Sequence, residues 1–473
     1  MPGQIQVWEK DPASGLLVSA PKPDVTQIPF GFSFPLPELP VDPDTTTRNF
    51  RYWNAAEALR RGADFWAVAL APKADWHCGS RISVKLSNVL SCWNAEYNRQ
   101  SLIFYRGQLK PGIFLYTADS ADILCHELGH AVLDTVQPPL WSLCDTEIAA
   151  FKEAFGDLSA ILCALQVETI RVAILAAGAG EIFCNSRLSR IAEKFGSALY
   201  TLFPNDAEPD CLRNAYNAFC YTPPSTLPSN GPSSILTAKP HSFSRIFTGA
   251  MLEILSGMLA LHPAPTPNLL RDATLDLRDI IIESVRSAPF VPQYYAALAT
   301  EMVLAAGSRN PAYTAIFRGV FVRRLILAPN SPIEPPLVPL VEGQIDVAIR
   351  SEERRSSPRL ISILISHYSI DQPIVVEAPA DPSESRARSG VPEGGAFSPL
   401  TAQEAARTFV ERLFMEGLVE FGQPEDGDIP GDDGEEDRSP SRATHRLEHI
   451  DGQLHLKRIR VQCSHCMDEC RSK

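Results

Sequence analysis

The sequence predicts an α+β protein, on two observations. Runs with alternating apolar residues at 81–86 and 102–105 suggest strands ahead of residue 117. From residue 119 to about 327, apolar residues recur at helical spacing instead. The elements follow in order. Residues 1–49 are rich in proline, with Phe30, Phe32 and Phe34 interleaved, and predict an extended arm lying over the rest. Residues 50–137 predict a β-rich lobe: a short helix about 54–62, strands at 65–70, 81–86 and 102–105, and a closing helix over 119–134. Residues 138–328 predict a helical lobe, with a second helix over 146–168 and a Pro- and Ser-bearing loop at 222–240. Runs at 244–261, 275–287 and 294–306 are apolar on one side and predict a bundle. Residues 329–473 form an extension whose fold the sequence leaves open. It holds a proline-rich joint at 329–339, strands within 342–365, a linker at 378–397 and one amphipathic helix over 401–421. An acidic, Gly-rich run at 423–441 is too polar to bury a core, and 445–461 reads as a hairpin about Asp451-Gly452.

Composition narrows the function classes. With 473 residues and 45% apolar content, the chain can bury more than one core. A net charge of −13 argues against a general nucleic-acid binder, which needs a basic face. The longest apolar stretches are broken by Gly, Pro or charge well short of a membrane span. The start shows no basic segment leading into an apolar one, so no secretory signal is expected. Eleven cysteines, an odd number scattered through helical stretches, read as reduced thiols. Together these points predict a cytoplasmic protein.

The chemistry is concentrated in His126-Glu127-Leu128-Gly129-His130. Two histidines four residues apart share one helix face, so both imidazoles can reach one metal. Glu127 then stands beside that metal, where a carboxylate can take a proton from an activated water. In the next helical stretch Glu153 and Asp157 repeat the same spacing. Zinc held by two histidines needs one more protein ligand, with a position left open, and Glu153 can supply it. Asp157 can accept the remaining N–H of a ligating histidine and fix its tautomer.

These segments resemble the thermolysin-like gluzincins, a family of zinc metallopeptidases. The run from His126 to Asp134 is similar to the family's HExxHAVxD, and Glu153 to Asp157 to its ExxxD helix. Asn94-Ala95-Glu96-Tyr97-Asn98 and Phe104-Tyr105-Arg106-Gly107 resemble its edge strand. The resemblance covers about residues 50–328. It implies a zincin with a β-rich N-terminal lobe, a central zinc-binding helix and a helical C-terminal lobe, and it does not reach the tail. It implies that Asn94 and Ala95 hydrogen-bond an extended substrate, that Arg213 binds its carbonyl, and that His241 stabilises the oxyanion. Three departures stand out. The family's aspartate five residues before that histidine is replaced by Leu236, and Ser234 or Thr237 would substitute without charge. Its tyrosine donor corresponds most nearly to Trp141, whose indole N–H can also donate. Asp122 matches one calcium position, but Ala164, Val172 and Leu175 stand near the other acidic places, so no family-type calcium site is expected.

The expected function is zinc-dependent endoproteolysis of a peptide or protein substrate, with Glu127 as general base. The competing expectation is a weak or inactive protein that keeps the scaffold to bind peptides or protein partners. A third reading gives the tail a targeting or inhibitory role. Near the C-terminus, Cys463, Cys466 and Cys470, with His455 or His465, have the ligand types of a structural zinc site. Without a second CxxC pair, a reduced terminus is the preferred reading.

Overall fold

The computed structural model of the protein describes residues 3–40, 43–88, 93–331, 358–365, 368, 370–381, 387, 389–390, 400–422 and 441–462. The acidic run at 423–440 and the cluster of Cys463, His465, Cys466 and Cys470 lie outside them, as do most of the expected strands within 342–365 and most of the linker at 378–397. The α+β class holds, with helices dominant.

The proline-rich start contributes structure of its own. Strands β1 (Gln4–Trp8) and β2 (Leu17–Pro21) form an antiparallel hairpin, and β3 (Gly31–Ser33) joins the main sheet. Helix α1 (Arg48–Leu70) follows, started by Thr47, whose side chain accepts from the Phe50 N–H. The strand expected at 65–70 is its last turn and a half. Leu59, Ala63, Trp66 and Leu70 are buried at helical spacing while Val68 is 68% exposed, so the period there is that of a helix. Pro72 then ends it by disfavouring helical backbone at Ala71.

Strands β4 (Arg81–Leu86), β5 (Ala95–Tyr97) and β6 (Ser101–Phe104) come next. A separate antiparallel pair is formed by β7 (Arg106–Lys110) and β8 (Ile113–Tyr116). Behind the sheet runs α2 (Ala121–Val136), buried at every residue, and against it α3 (Thr146–Ala164), likewise buried throughout. Asp145 starts α3 by accepting from the Ile148 N–H at 3.0 Å. The two helices touch at glycines. A Cβ on Gly129 would come within 2.8 Å of Ser159 Cβ, and one on Gly156 within 2.7 Å of the His126 ring. Only glycine at these points lets the backbones close to this distance.

Helix α4 (Glu168–Ala177) leads into β9 (Arg190–Ile191), α5 (Glu193–Leu202) and β10 (Arg213–Asn214), with β9 and β10 paired. The bundle is completed by α6 (Pro240–Leu259), α7 (Pro267–Ser287), α8 (Tyr294–Arg309) and α9 (Pro311–Arg323). No single helix among the described residues is long and apolar enough to cross a membrane. Helices α3 and α4 meet that test only as a pair bent by 96°, and α3 is a core helix.

The extension folds on its own core. Its elements are β11 (Arg359–Ile363), β12 (Ile374–Ala378), α10 (Ala402–Met415), β13 (Val419–Phe421), β14 (His445–Ile450) and β15 (Gln453–Arg458). Among the described residues the strands join in the order β11-β12-β15-β14-β13. Ile374, Val376, Phe409, Val410, Leu447 and Leu456 pack beneath, together with Cys144 and Ala149 beside and within α3. The helix expected over 401–421 is shorter. It opens on a capping box of Thr401 and Glu404 and stops before Gly417, whose φ of 67° turns the chain into β13. In the hairpin of β14 and β15, Asp451 and Gly452 both have positive φ, as a two-residue turn demands. Backbone bonds seal the docking: Cys144 N–H to Glu377 O at 2.8 Å and Ala380 N–H to Phe290 O at 2.7 Å.

After β15 the chain returns to the first sheet as β16 (Val461–Gln462). Among the described residues that sheet runs β16-β5-β6-β4-β3, with β16 antiparallel to β5.

Candidate metal centre

Helix α2 presents His126 and His130 on one face, with their Nε2 atoms 3.1 Å apart and their rings perpendicular. Helix α3 brings Glu153 Oε2 to 3.4 Å from His126 Nε2. Ligand atoms on a tetrahedral ion with bonds of about 2.0–2.2 Å lie about 3.3–3.6 Å apart, so these contacts suit a shared ion. One turn further along α3, Asp157 Oδ1 accepts from His126 Nδ1 at 2.9 Å, which leaves Nε2 facing Glu153 and His130. Asp157 is held by Arg213, Nε to Oδ2 at 2.8 Å and Nη2 to Oδ1 at 2.6 Å. The β9–β10 pairing fixes where Arg213 starts. Gly156 makes the arrangement possible, because a side chain there would strike the imidazole.

Several buried polar atoms here have no hydrogen-bond partner among the described residues: both carboxylate oxygens of Glu127 and His130 Nδ1. Orphans of this kind are costly and call for an occupant. His126, Glu127 and His130 form a triple whose possible ligand atoms all lie within 4.8 Å of one another. That triple names Glu127, whereas the 3.4 Å contact to His126 favours Glu153. The separation alone does not assign the carboxylates. The contacts favour Glu153, whose Oε2 faces His126 at 3.4 Å and His241 at 3.1 Å, while Glu127 has no hydrogen-bond partner among the described residues.

Burial shapes the charges. It pushes the Glu127 carboxyl up to about 8 and drops His130 to about 3. Burial also opposes a charged His126, but the hydrogen bonds it donates to Asp157 and Glu153 outweigh it and raise the ring to about 9. For Asp157 burial works upward, yet the Arg213 charge and the His126 bond bring it to about 2. Glu153 is also held well below the usual range: burial opposes this, and the facing histidines prevail. The surroundings thus favour the charged form of His126 and the neutral form of His130. A divalent cation binding there would compete with the His126 proton.

The remaining expected residues fall around this cluster. Asn94 is fully buried, and its carbonyl accepts from Tyr105 N–H at 3.2 Å. Ala95 opens β5. His241, in the first turn of α6, places Nε2 at 3.1 Å from Glu153 Oε2 and 2.9 Å from the Gln462 carbonyl. Arg213 spends two donors on Asp157, behind His126. Trp141 directs its Nε1–H to the Arg458 carbonyl at 3.2 Å, so service as an oxyanion donor requires that bond to break. Leu236 is half-buried, and neighbouring Thr237 donates its backbone N–H to Ser242 rather than bonding His241. At Asp122, which matches one calcium position of the resembled family where no calcium site is expected, the protein itself supplies a cation. The Asp122 carboxylate accepts from the buried Lys10 ammonium and from Ala192 N–H.

Other neighbours have roles that the sequence does not assign. Asp134, at the end of the HAVLD run, accepts from Tyr97 OH at 2.8 Å and pairs with Arg99 at 2.8 Å, tying α2 to β5. Its place in the motif was the available signal. Arg460 and Gln462 arrive from the extension, where two-residue β16 carries no readable period. A cavity between α3 and the extension is lined by Glu153, His241, Arg412, His445, Arg458 and Gln462 among others.

No family model matches the chain, and no curated protein sequence matches it.

Proposed function

We propose that the chain is a zinc-dependent metalloendopeptidase of thermolysin-like architecture, with His126, His130 and Glu153 as ligands and Glu127 as general base. The carrying observation is the buried meeting of two imidazole Nε2 atoms and one carboxylate, beside a second carboxylate with no donor of its own. A zinc ion bound there would supply a water of lowered pKa and polarise the carbonyl to be cleaved. Glu127, free of competing hydrogen bonds, takes the water proton and returns it to the leaving amine. Asp157 holds the His126 tautomer, and Arg213 holds Asp157. His241 donates from Nε2 to a carbonyl oxygen placed against the cluster, the position Gln462 O takes here. An extended peptide would lie along β5, ahead of which stands Asn94.

The test is hydrolysis of an unstructured protein by the purified chain, with and without a zinc chelator. Chelator-sensitive cleavage within the substrate is the expected result. Zinc retention with no cleavage under any condition would leave the peptide-binding reading in its place.

A further inference from the structure

We propose that the chain's own C-terminal strand occupies the substrate groove and holds the site latent, as a tethered competitor of extended peptides. The inference rests on the proposed peptidase reading for its consequence, and on geometry for its substance. Strand β5 has β6 on one side and would otherwise present an open edge, the place where an extended peptide adds. That edge is taken by β16, antiparallel, with Val461 opposite Tyr97 and Gln462 opposite Glu96.

The strand is anchored and aimed. Arg460 Nη1 meets Glu96 Oε2 at 3.1 Å, with Glu96 buried to 3% exposure. Val461 is buried in the main core, and the Arg458 carbonyl takes the Trp141 indole N–H. Gln462 then delivers its carbonyl oxygen to His241 Nε2 at 2.9 Å. The same nitrogen lies 3.1 Å from Glu153 Oε2, itself 3.4 Å from His126 Nε2. A strand serving only to complete the sheet has no need to place a carbonyl there.

The ladder itself is short, two paired residues and one ion pair beside the contacts just named, and tethering adds an effective concentration on the order of millimolar. A substrate must outcompete that tether, so the apparent KM is raised while the chemical groups stay intact.

The test uses the full chain. Arg460→Glu sets two carboxylates against each other at Glu96 and should release the strand; Arg460→Gln, which keeps length and loses charge, is the milder companion if the first fails to fold. Two readouts are taken. A labelled peptide of the sequence of residues 457–462 is titrated into the Glu127→Gln background, and hydrolysis of an unstructured protein is followed in the parent background. Release should tighten peptide binding about tenfold or more and lower KM with little change in kcat. The swap Glu96→Arg with Arg460→Glu, read by the KM for the unstructured protein rather than by the Arg-bearing peptide, should restore exclusion. Peptide binding equal in the parent and in both Arg460 variants would overturn latency even with hydrolysis intact. Tightened binding with no hydrolysis in any form would uphold the occupied groove and sink the peptidase reading instead.

Discussion

The helix pair α2–α3 and the C-terminal sheet domain meet over Glu153, and each buries charge in a different way. At the metal cluster of the helix pair, charged side chains answer one another in a chain: Arg213 to Asp157, Asp157 to His126, His126 to Glu153. At the docking face, basic side chains gather instead. Lys152, Arg412 and Arg458 are all buried beside His445, and their partners are largely backbone carbonyls. Lys152 donates to Leu140 O at 3.0 Å and Trp141 O at 3.2 Å, and Arg412 to Ala238 O. Burial drives Lys152 well below the usual lysine range. The first pattern comes from side chains at fixed helical spacing and is written in the sequence. The second depends on carbonyls that any residue could supply, so no residue type announces it.

The largest expected effect breaks the chemical half of this contrast. Glu127→Gln should keep the fold and lose hydrolysis by about 10²–10⁴-fold, because an amide cannot take the water proton. Steady-state kinetics beside a melting curve would show it; parental turnover in the variant removes Glu127 from the mechanism.

Gly156→Ala attacks the geometry that unites the helices. Its methyl would lie within 2.7 Å of the His126 ring, so α2 and α3 must separate or the imidazole must turn. A stability loss of about 1–3 kcal/mol is expected, with weaker zinc retention. Gly257→Ala, where the contact is the Ile316 Cγ2 methyl of α9 at the same 2.7 Å and away from the histidines, is the control and should leave zinc retention unchanged.

The two regions should also titrate in opposite senses. Glu147, buried on α3 near Asp145, has its carboxyl pushed up to about 8 by burial, above the ordinary 4.5. A raised carboxyl contributes stability below pH 4.5 that is lost as pH climbs toward 8. His445 in the extension is driven well below 6.5 by burial and then by Arg458, Lys152 and Arg412. Its contribution is present above pH 6.5 and lost as pH falls. Melting curves from pH 5 to 9 should therefore show Glu147→Gln gaining on the parent as pH rises and His445→Gln gaining as pH falls. Identical slopes in all three proteins would contradict the assignment.

The smallest effect lies at the start of α10. Thr401→Ala removes one arm of its capping box and should cost about 0.5–2 kcal/mol in the extension. Hydrogen exchange should rise in α10 and leave α2 unchanged.

What was legible follows the same division. HExxH and ExxxD could be read because a helix converts spacing into a shared face, and Asp134 stood in plain view within the motif. The strand expected at 65–70 failed because Phe65 and Trp66 are adjacent and both buried, which a short window does not distinguish from a strand. The end of α10 hung on Gly417 alone. Strand β16 was invisible, since Val461 and Gln462 become a strand only by meeting Tyr97 and Glu96, hundreds of residues earlier in the chain.

The central claim is that two histidines of α2 and one carboxylate of α3 hold a single zinc, with Glu127 left free to act on water. Zinc titration of the parent, Glu153→Ala and Glu127→Gln tests it most directly. One zinc per chain in the parent, markedly weakened binding in Glu153→Ala and near-parental binding in Glu127→Gln is the predicted result. Parental affinity in Glu153→Ala together with loss of zinc in Glu127→Gln would exchange the roles of the two carboxylates and contradict the account.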